Sequence, residues 1–540
     1  MSDQDMRERL IEARRALETV HPDILGVRLG WVFDESGPTD QRALIVTAPD
    51  AQAARAALPR EVGGIPVEVM PPSPQDLLAA TSSESEILAD ALDETAEPTI
   101  RYQPPPGLVL QPITGEMRVI AHVSPDAGWP TLKAFIAGAH KRMVGSMYEF
   151  DAQHVCDALL AAAGKPGFES LTLTLDRMRS GVSKPDPEPD AETMALQLGE
   201  ALGARFRRAW IPTGKTGWVK ANYHMKVLVR DGDAVWVSSG NWKNSGQPNA
   251  DPNGNIDTLR RLLRNNNREW HAVIEHPGVA QVFEKHVLND FDNNAEAPLD
   301  AVVLPDVWLV EDEFLADALE ARAASQPPPT RNIKYFAPFD ETREFTVRPL
   351  LTPNDYLPAV TEAVKGAAES ILLQNQTLGA PSDKTSPRFD EFWEIVRDKQ
   401  RAGLEVRLIF RLQNAGFVDW SGARAMFDAL KDFGFDGQRI KVQVGCHTKG
   451  MVIDGRRVLL GSHNFSDTGV TLNRDASLLF DDKGLADYFT KIFEHDWSEV
   501  AFPLTSRNFD APAPQVFVGD RPPPGRLAVR LDWGEVLEAL

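Results

Sequence analysis

The sequence predicts an α/β protein whose body is two repeated halves, preceded by a small α/β unit. Two observations carry this expectation. One polar pattern occurs twice: His224-Met-Lys226, four residues, Asp231, six residues, Ser238-Ser239-Gly240-Asn241, and then His447-Thr-Lys449, four residues, Asp454, six residues, Gly461-Ser462-His463-Asn464. The second copy starts 223 positions after the first. Helix-like and strand-like runs also recur in the same order around each copy, so the duplication extends well beyond the motif.

At 540 residues the chain has room for three or four domain-sized units. A hydrophobic fraction of 42%, with 12 Trp and 25 Phe, is enough for sizeable cores. Residues 1–80 read as a small α/β accessory unit. Asp5–Val20 has helical periodicity, strand-like runs follow at Leu25–Phe33, Ala43–Thr47 and Ile65–Met70, and Ala51–Ala57 is helix-like. No chemistry is assigned to this unit. Residues 81–110 are an acidic, proline-rich linker, with Ser82-Ser-Glu-Ser-Glu, Pro104-Pro-Pro and a short helix near Glu86–Leu92.

The first half is expected over 111–303 and the second over 344–505. Ser124-Pro125-Asp126 precedes a helix with Leu132, Phe135, Ile136, Ala139 and Met143 on its apolar face; Thr352-Pro353-Asn354 precedes another with Leu357, Val360, Val364 and Ala367. Strand-like runs follow at Gly145–Phe150 and Ile371–Gln376. After each motif comes an acid-bearing triplet, Asn267-Arg268-Glu269 and Asn473-Arg474-Asp475, then a strand. A closing helix follows, with Asp290-Phe291 in one half aligned with Asp496-Trp497 in the other. The first half carries about seventeen extra residues between Asn241 and Glu269, including the loop Gln247–Gly254. A second insertion, Ser180–Pro189, lies earlier in the same half. Residues 304–343 join the halves, and 506–540 form a tail ending in a short amphipathic helix at Trp533–Leu540.

Within each motif copy, Asp-Gly between two β-rich runs signals a hairpin, Val227–Val229 with Val235–Val237 and Met451–Ile453 with Val458–Leu460. His and Lys, two apart, share a strand face, and Ser239 with Asn241, or Ser462 with Asn464, return to the same sheet edge. Each copy thus presents an imidazole, an ammonium, a hydroxyl and an amide together. That set suits phosphodiester chemistry: one imidazole attacks phosphorus while a second protonates the leaving oxygen and then activates water or an alcohol. Lys226, Lys449, Asn241 and Asn464 are donors for the non-bridging oxygens. Neither copy has a second motif histidine, so the two copies must face each other. Asp231 and Asp454 read as turn residues and orienting acceptors.

These motifs resemble the signature of the phospholipase D superfamily, His-x-Lys-x4-Asp-x6-Gly-Ser-x-Asn. The second copy matches it fully; the first has Ser238 where the family usually has Gly, a small-for-small change expected to be tolerated. The resemblance implies two pseudo-twofold-related α/β/α halves sharing one site. It also implies His224 as nucleophile and His447 as general acid, with Glu269 and Asp475 supporting the imidazoles. The bland alternative for each acid is a salt bridge with the Arg beside it. Phosphodiester turnover without a metal or organic cofactor follows from the same resemblance.

Cys156 and Cys446 form neither a disulfide framework nor a metal-ligand spacing. Gly214-Lys215-Thr216 lacks the phosphate-loop context because position 209 is Ala, and His271 with His276, five apart, does not fit a zinc helix pair. The N-terminus has no signal-peptide pattern and no apolar run has the ~18 residues of a membrane helix, so a cytoplasmic protein is expected, with transient contact to a membrane surface left open. The net charge of −21 argues against a general nucleic-acid binder and a broad basic membrane face, while allowing a locally basic cleft.

Phospholipid ranks first as substrate, with Trp210, Trp218, Trp242 and Trp270 beside the motifs as candidate interfacial rings. Nucleic acid is a close second, on Arg205, Arg207, Arg208, Lys215, Lys220, Arg260, Arg261, Arg264 and Arg268 as a candidate phosphate-tracking groove. A non-catalytic scaffold is a third reading, opposed by the intact His, Lys and Asn in both copies.

Overall fold

The computed structural model describes residues 3–21, 23–73, 76, 100–176, 190–214, 217–295, 307–310, 332–382, 384–412, 419–509, 515–518 and 528–530. The expected helices at Glu86–Leu92 and Trp533–Leu540, the Ser180–Pro189 insertion and Lys215 lie outside them.

In the N-terminal unit, the helix Asp3–Val20 precedes strands β1 (Gly26–Asp34) and β2 (Gly37–Thr47), and the helix Ala51–Ala57 precedes β3 (Glu61–Val62) and β4 (Ile65–Met70). The sheet order is β1-β2-β4-β3. This unit packs against the second half of the body. Phe33, Ala43, Ile45 and Met70 join the same apolar core as Phe427, Leu430 and Phe435. Around that seam, Arg28 pairs with Asp428 at 2.5 Å, Trp31 Nε1 donates to Asp432 at 2.7 Å, and Arg424 pairs with Glu68.

The body is one sheet. The first half contributes β5 (Ile113–Ser124), β6 (Arg142–Met147), β7 (Ser170–Asp176), β8 (Phe206–Ile211), β9 (Lys226–Arg230), β10 (Ala234–Ser238) and β11 (Glu269–Glu275). In the connection, β12 (Val307–Val310) pairs with two tail strands, Gln515–Val518 and Ala528–Arg530. The second half contributes β13 (Phe339–Leu351), β14 (Ser370–Asn375), β15 (Glu405–Leu412), β16 (Ile440–Val444), β17 (Lys449–Ile453), β18 (Arg457–Gly461) and β19 (Ala476–Asp481). The fourteen strands are ordered β16-β15-β14-β17-β18-β19-β13-β5-β11-β10-β9-β6-β7-β8. Reading outward from the central β13–β5 pair, the two sides match strand for strand. That pair is antiparallel, from Phe339 opposite Ala121 to Val347 opposite Ile113. A twofold relation therefore runs between the two strands.

The motif strands read as near-continuous apolar runs because helices cover the sheet and both faces of these strands are buried. Each hairpin turns at the expected aspartate. Asp231 and Asp454 adopt φ of 53° and 54°, a left-handed conformation that Asp tolerates better than most residues. Each carboxylate then caps three backbone N–H groups before the neighbouring strand: those of His140, Lys141 and Arg142 for Asp231, and of Ala368, Glu369 and Ser370 for Asp454. Burial works against ionisation of both carboxyls, but these N–H bonds hold them below the ordinary value.

One boundary differs usefully from expectation. The strand expected at Gly145–Phe150 ends at Met147 instead. Tyr148, Glu149 and Phe150 leave it because their backbone docks on the motif loop: Trp242 N–H donates to Glu149 O at 3.0 Å, and Phe150 forms a parallel bridge with Trp242. Thr377 and Leu378 repeat this in the second half, against Phe465.

Candidate active site

Backbone bonds between the halves set the site. His224 N–H donates to Arg474 O at 2.8 Å, and Arg474 N–H donates to Asn222 O at 2.8 Å. In the mirror arrangement, His447 N–H donates to Arg268 O at 3.0 Å, and Arg268 N–H donates to Gly445 O at 2.7 Å. The segment before each motif histidine is thus stitched to the acid-bearing triplet of the opposite half. The acids consequently cross. His224 Nδ1 lies 2.7 Å from Asp475 Oδ1, and His447 Nδ1 lies 3.1 Å from Glu269 Oε1.

The expected alternative, in which each acid pairs with the Arg beside it, does not occur. Arg268 turns away to Asp126 at 2.6 Å and Asp496 at 3.0 Å, and Arg474 to Asp290 at 2.9 Å. Asp290 and Asp496 sit on the closing helices of the halves opposite those of their arginines. The fully buried Arg268–Asp496 and Arg474–Asp290 pairs lock the halves together, and they are possible because each guanidinium also donates to a backbone carbonyl, Ser124 O or Thr352 O.

The two acids have different surroundings. Asp475 Oδ1 accepts from Ser462 Oγ at 2.5 Å as well as facing His224. Burial would raise its pKa, but the charge of His224 and the bond from it win and hold the carboxyl below its ordinary value. Glu269 faces His447 closely, yet neither carboxylate oxygen forms an aligned hydrogen bond. Burial pushes it up to about 8, against the pull of Lys449 and Lys226. Room for this carboxylate comes from glycines: a Cβ on Gly240 would fall 1.4 Å from Glu269 Oε2, and one on Gly246 2.6 Å from Oε1.

The other motif groups gather around these pairs. Lys449 Nζ donates to Gln376 Oε1 at 2.5 Å and sits 3.1 Å from His447 Nε2. Lys226 Nζ donates to His224 O at 3.0 Å and lies 5.1 Å from the centre of the Tyr148 ring. Tyr148, at the position of Gln376, also covers His224 edge-on at 4.8 Å between ring centres. His224 is 0% exposed and His447 is 5% exposed. Ser462 serves an acid, whereas Ser239 Oγ only accepts from Trp270 N–H at 3.0 Å. The amide oxygens of Asn241 and Asn464 are buried with no hydrogen-bond partner, so a donor would complete both. Asn241 Nδ2 donates to Glu149, whose other oxygen pairs with Lys243 at 2.9 Å. Glu149, Lys243, Tyr148 and Gln376 had no signal in the motif spacing; only the repeat, which places 148 opposite 376, could have pointed to them.

Ser238 has a specific reason to differ from Gly461. Its Oγ lies 2.7 Å from His271 Nδ1 and accepts from Gly240 N–H at 2.7 Å. In the second half a Cβ on Gly461 would fall 2.1 Å from Ser477 Oγ, and the imidazole sits instead on the loop, as His463 bonded to Ser477 at 2.7 Å. The trio Ser238, Gly240 and His271 replaces Gly461, His463 and Ser477. His276 only caps its helix, accepting from Val279 N–H. Cys446 is buried, and its thiol is pushed up to about 12 by that burial.

The residues named for substrate preference are largely structural. Trp218, Trp242 and Trp270 are buried, and Trp270 packs on Phe489 of the other half at 4.4 Å between ring centres. They are core residues and not interfacial rings; Trp210 is half-buried. Arg268 is internal, Arg205 donates to Ala163 O at 3.0 Å, and Arg207 to Thr172 Oγ1 at 3.0 Å. The expected basic groove thereby loses Arg268, while Arg205 and Arg207 remain exposed, as do Arg260, Arg261 and Arg264 on the insertion helix Ile256–Asn265. Among the described residues no helix is long and apolar enough to cross a membrane, and no group of three or more His, Cys, Asp or Glu is arranged to hold a metal ion.

Fold and site therefore define a duplicated α/β protein in which two His/Lys/Asn motifs share one buried polar centre. A family model described as the phospholipase D-like domain of cardiolipin synthase matches residues 360–497. Cardiolipin synthase A of Shigella dysenteriae is 28% identical over 167 residues, 29% of this chain and 31% of that protein, and the Escherichia coli O1:K1 protein is 27% identical over the same length. The alignment thus spans about a third of these relatives. Among solved structures, phosphatidylserine synthase of Haemophilus influenzae has a TM-score of 0.49 and 14% identity, covering 72% of this chain and 88% of that one. The second half of the chain is thus similar to the phospholipase D-like domain of cardiolipin synthase.

Proposed function

We propose that this chain hydrolyses a phosphodiester, or exchanges its alcohol, through a phosphohistidine, and that its substrate is a phospholipid. The crossed pairing of each motif histidine with the other half's acid is the observation that carries this reading. With Asp475 held ionised, the shared proton belongs on His224 Nδ1, leaving the Nε2 lone pair free to attack phosphorus. His447, beside a carboxyl that titrates near neutrality, is the group suited to giving up and regaining a proton. It protonates the departing alcohol oxygen as the N–P bond forms. It then takes the proton of the incoming water or alcohol as the new O–P bond displaces His224. Lys226, Lys449, Asn241 and Asn464 are the donors for the non-bridging oxygens. Two ammonium groups supply the charge neutralisation that other phosphoryl enzymes draw from metal ions, so no metal has an assigned role.

Phospholipid is preferred over nucleic acid on two grounds. The relatives matched in sequence are named cardiolipin synthases. The −21 net charge and the burial of Arg268 in ion pairs also weigh against a broad basic surface for a polynucleotide. The test is EDTA-treated turnover by wild type and His224→Ala on phospholipid vesicles, single-stranded DNA and RNA, and duplex DNA. Headgroup release or exchange that disappears in the variant is the expected result. Cleaved nucleic acid that disappears instead would move the activity to nuclease chemistry, and lipid turnover surviving in the variant would overturn His224 as nucleophile.

A further inference from the structure

The loop and strand around Glu269 differ from their second-half counterparts in a coupled way. Position 240 is Gly where the second half has His463, position 271 is His where it has Ser477, and the acid is Glu269 where it has the shorter Asp475. A Cβ at Gly240 would overlap the Glu269 carboxyl, so this acid occupies the place that a loop side chain takes in the other half. There, His463 stacks on Tyr356 with ring centres 3.4 Å apart. The residue matching Tyr356 is Gly128, since Gly128–Ala137 and Tyr356–Lys365 are corresponding helices, and a Cβ at Gly128 would overlap Ser124 Oγ. Ser124 is one of two hydroxyl partners of His271: its Oγ lies 2.9 Å from Nε2, and Ser238 Oγ lies 2.7 Å from Nδ1. Ser238 Oγ also accepts from Gly240 N–H at 2.7 Å and donates to Gly240 O at 3.0 Å. An imidazole bonded at both nitrogens is thus joined, through one hydroxyl, to the backbone turn that covers Glu269.

We infer that His271 is a positioning residue for Glu269: with Ser238 it clamps the Gly240 turn over the carboxyl, closing that side to water and holding the acid against His447. The consequence for turnover rests on the phosphodiesterase reading, in which His447 exchanges the proton. His271 is a fixture and not a proton carrier. Burial and the neighbouring His122, its ring centre 4.8 Å away, hold it well below its ordinary pKa. The neutral ring serves its two hydroxyls with one donor and one acceptor nitrogen. Around the Glu269 carboxyl stand His447 at 3.1 Å and His271 Nε2 at 3.9 Å, with the Glu149–Lys243 pair across the cleft. Lys449, Lys226 and Arg411 pull the acid toward ionisation, but burial outweighs them, and the Gly240 turn is part of that burial. Ser462 Oγ donates to Asp475 at 2.5 Å, whereas both Glu269 oxygens are buried without an aligned hydrogen bond. Water admitted by a loosened turn would therefore solvate, and favour, the charged form of Glu269.

The experiment follows, in the full chain without lipid, the part of the carboxylic-acid infrared band that is missing in Glu269→Gln, as a function of pH. Wild type is expected to titrate near pH 8. Ser238→Ala, which keeps the volume but removes the linking hydroxyl, should lower the midpoint by about one pH unit or more, and His271→Leu should do the same. His271→Asn, whose amide can still bond Ser238, should bring it back toward the wild-type value. Turnover of phosphatidylglycerol vesicles gives the second readout: the alkaline inflection of kcat should move with the band, and kcat at pH 7 should fall about tenfold in Ser238→Ala with KM little changed. A midpoint and inflection unmoved in folded Ser238→Ala, even if that variant melts earlier, would reduce the clamp to a packing role and overturn the inference. Absence of lipid turnover by wild type, with the band shifting as expected, would overturn the parent reading and leave the clamp on Glu269 supported.

Discussion

The two halves carry the same motif in nearly superposable settings, yet their histidines have different neighbours. His224 faces a carboxylate that is ionised, hydrogen-bonded by Ser462, and held 2.7 Å away. His447 faces a carboxyl raised to about 8, 3.1 Å away and not aligned for a hydrogen bond. In the proposed mechanism the first arrangement fixes a tautomer and the second keeps a proton exchangeable near neutral pH. Under the proposed mechanism the two halves divide two chemical roles through the neighbours of their histidines, with the motif His, Lys and Asn the same in both.

The sharpest way to break this comparison is to alter the acids. Asp475→Asn should lower kcat by about 10³–10⁴, because the amide no longer dictates the imidazole tautomer. Glu269→Gln should cost much less and should flatten the pH–rate profile around pH 8. Equal losses in single-turnover measurements would remove the division of roles.

The arginine locks come next in size. Arg268→Met strands two buried carboxylates, Asp126 and Asp496, whereas Arg474→Met strands Asp290. Losing one member of a buried ion network costs about 3–5 kcal/mol, and Arg268→Met is expected to sit at the upper end in chemical denaturation. A smaller pair of effects tests the Ser238/Gly461 exchange. Gly461→Ser forces its Cβ against Ser477 and should cost about 1–3 kcal/mol, while Ser238→Gly leaves His271 Nδ1 and the Gly240 N–H without their partner and should cost about 1–3 kcal/mol. If either were neutral, the two loops would be interchangeable.

A further test is the pH dependence of stability. Glu269 has a folded pKa above its unfolded one, so its contribution is fully present below pH ~4.5 and is lost as pH rises through about 8. Glu269→Gln should therefore melt at a higher temperature than wild type at pH 9, with the gap closing at pH 5. A gap that stays constant with pH would mean that Glu269 is already charged in the folded protein.

Much of this molecule was legible in the chain itself. Spacing alone revealed two hairpins, turning at Asp231 and Asp454, because Asp-Gly between apolar β-runs has few other solutions. Repetition of the flanking helices and of the Asn-Arg-acid triplets gave the two-half body and drew attention to Glu269 and Asp475. Trp218, Trp242, Trp270 and Arg268 beside the motifs misled, since type and proximity in sequence do not tell an interfacial ring from a core ring, or a free guanidinium from a buried one.

What the sequence determined is local: a His, Lys, Ser and Asn brought to one strand edge by the two-residue period of the strand and a tight turn. Tertiary structure decided which acid serves which histidine, because the crossing is made by backbone bonds between segments about 180 or 250 residues apart, from Arg268 to His447 and from His224 to Arg474. It also decided the burial that raises Glu269 while Asp475 stays ionised. Pairing and desolvation depend on what the other half places nearby, and no spacing within one half encodes that.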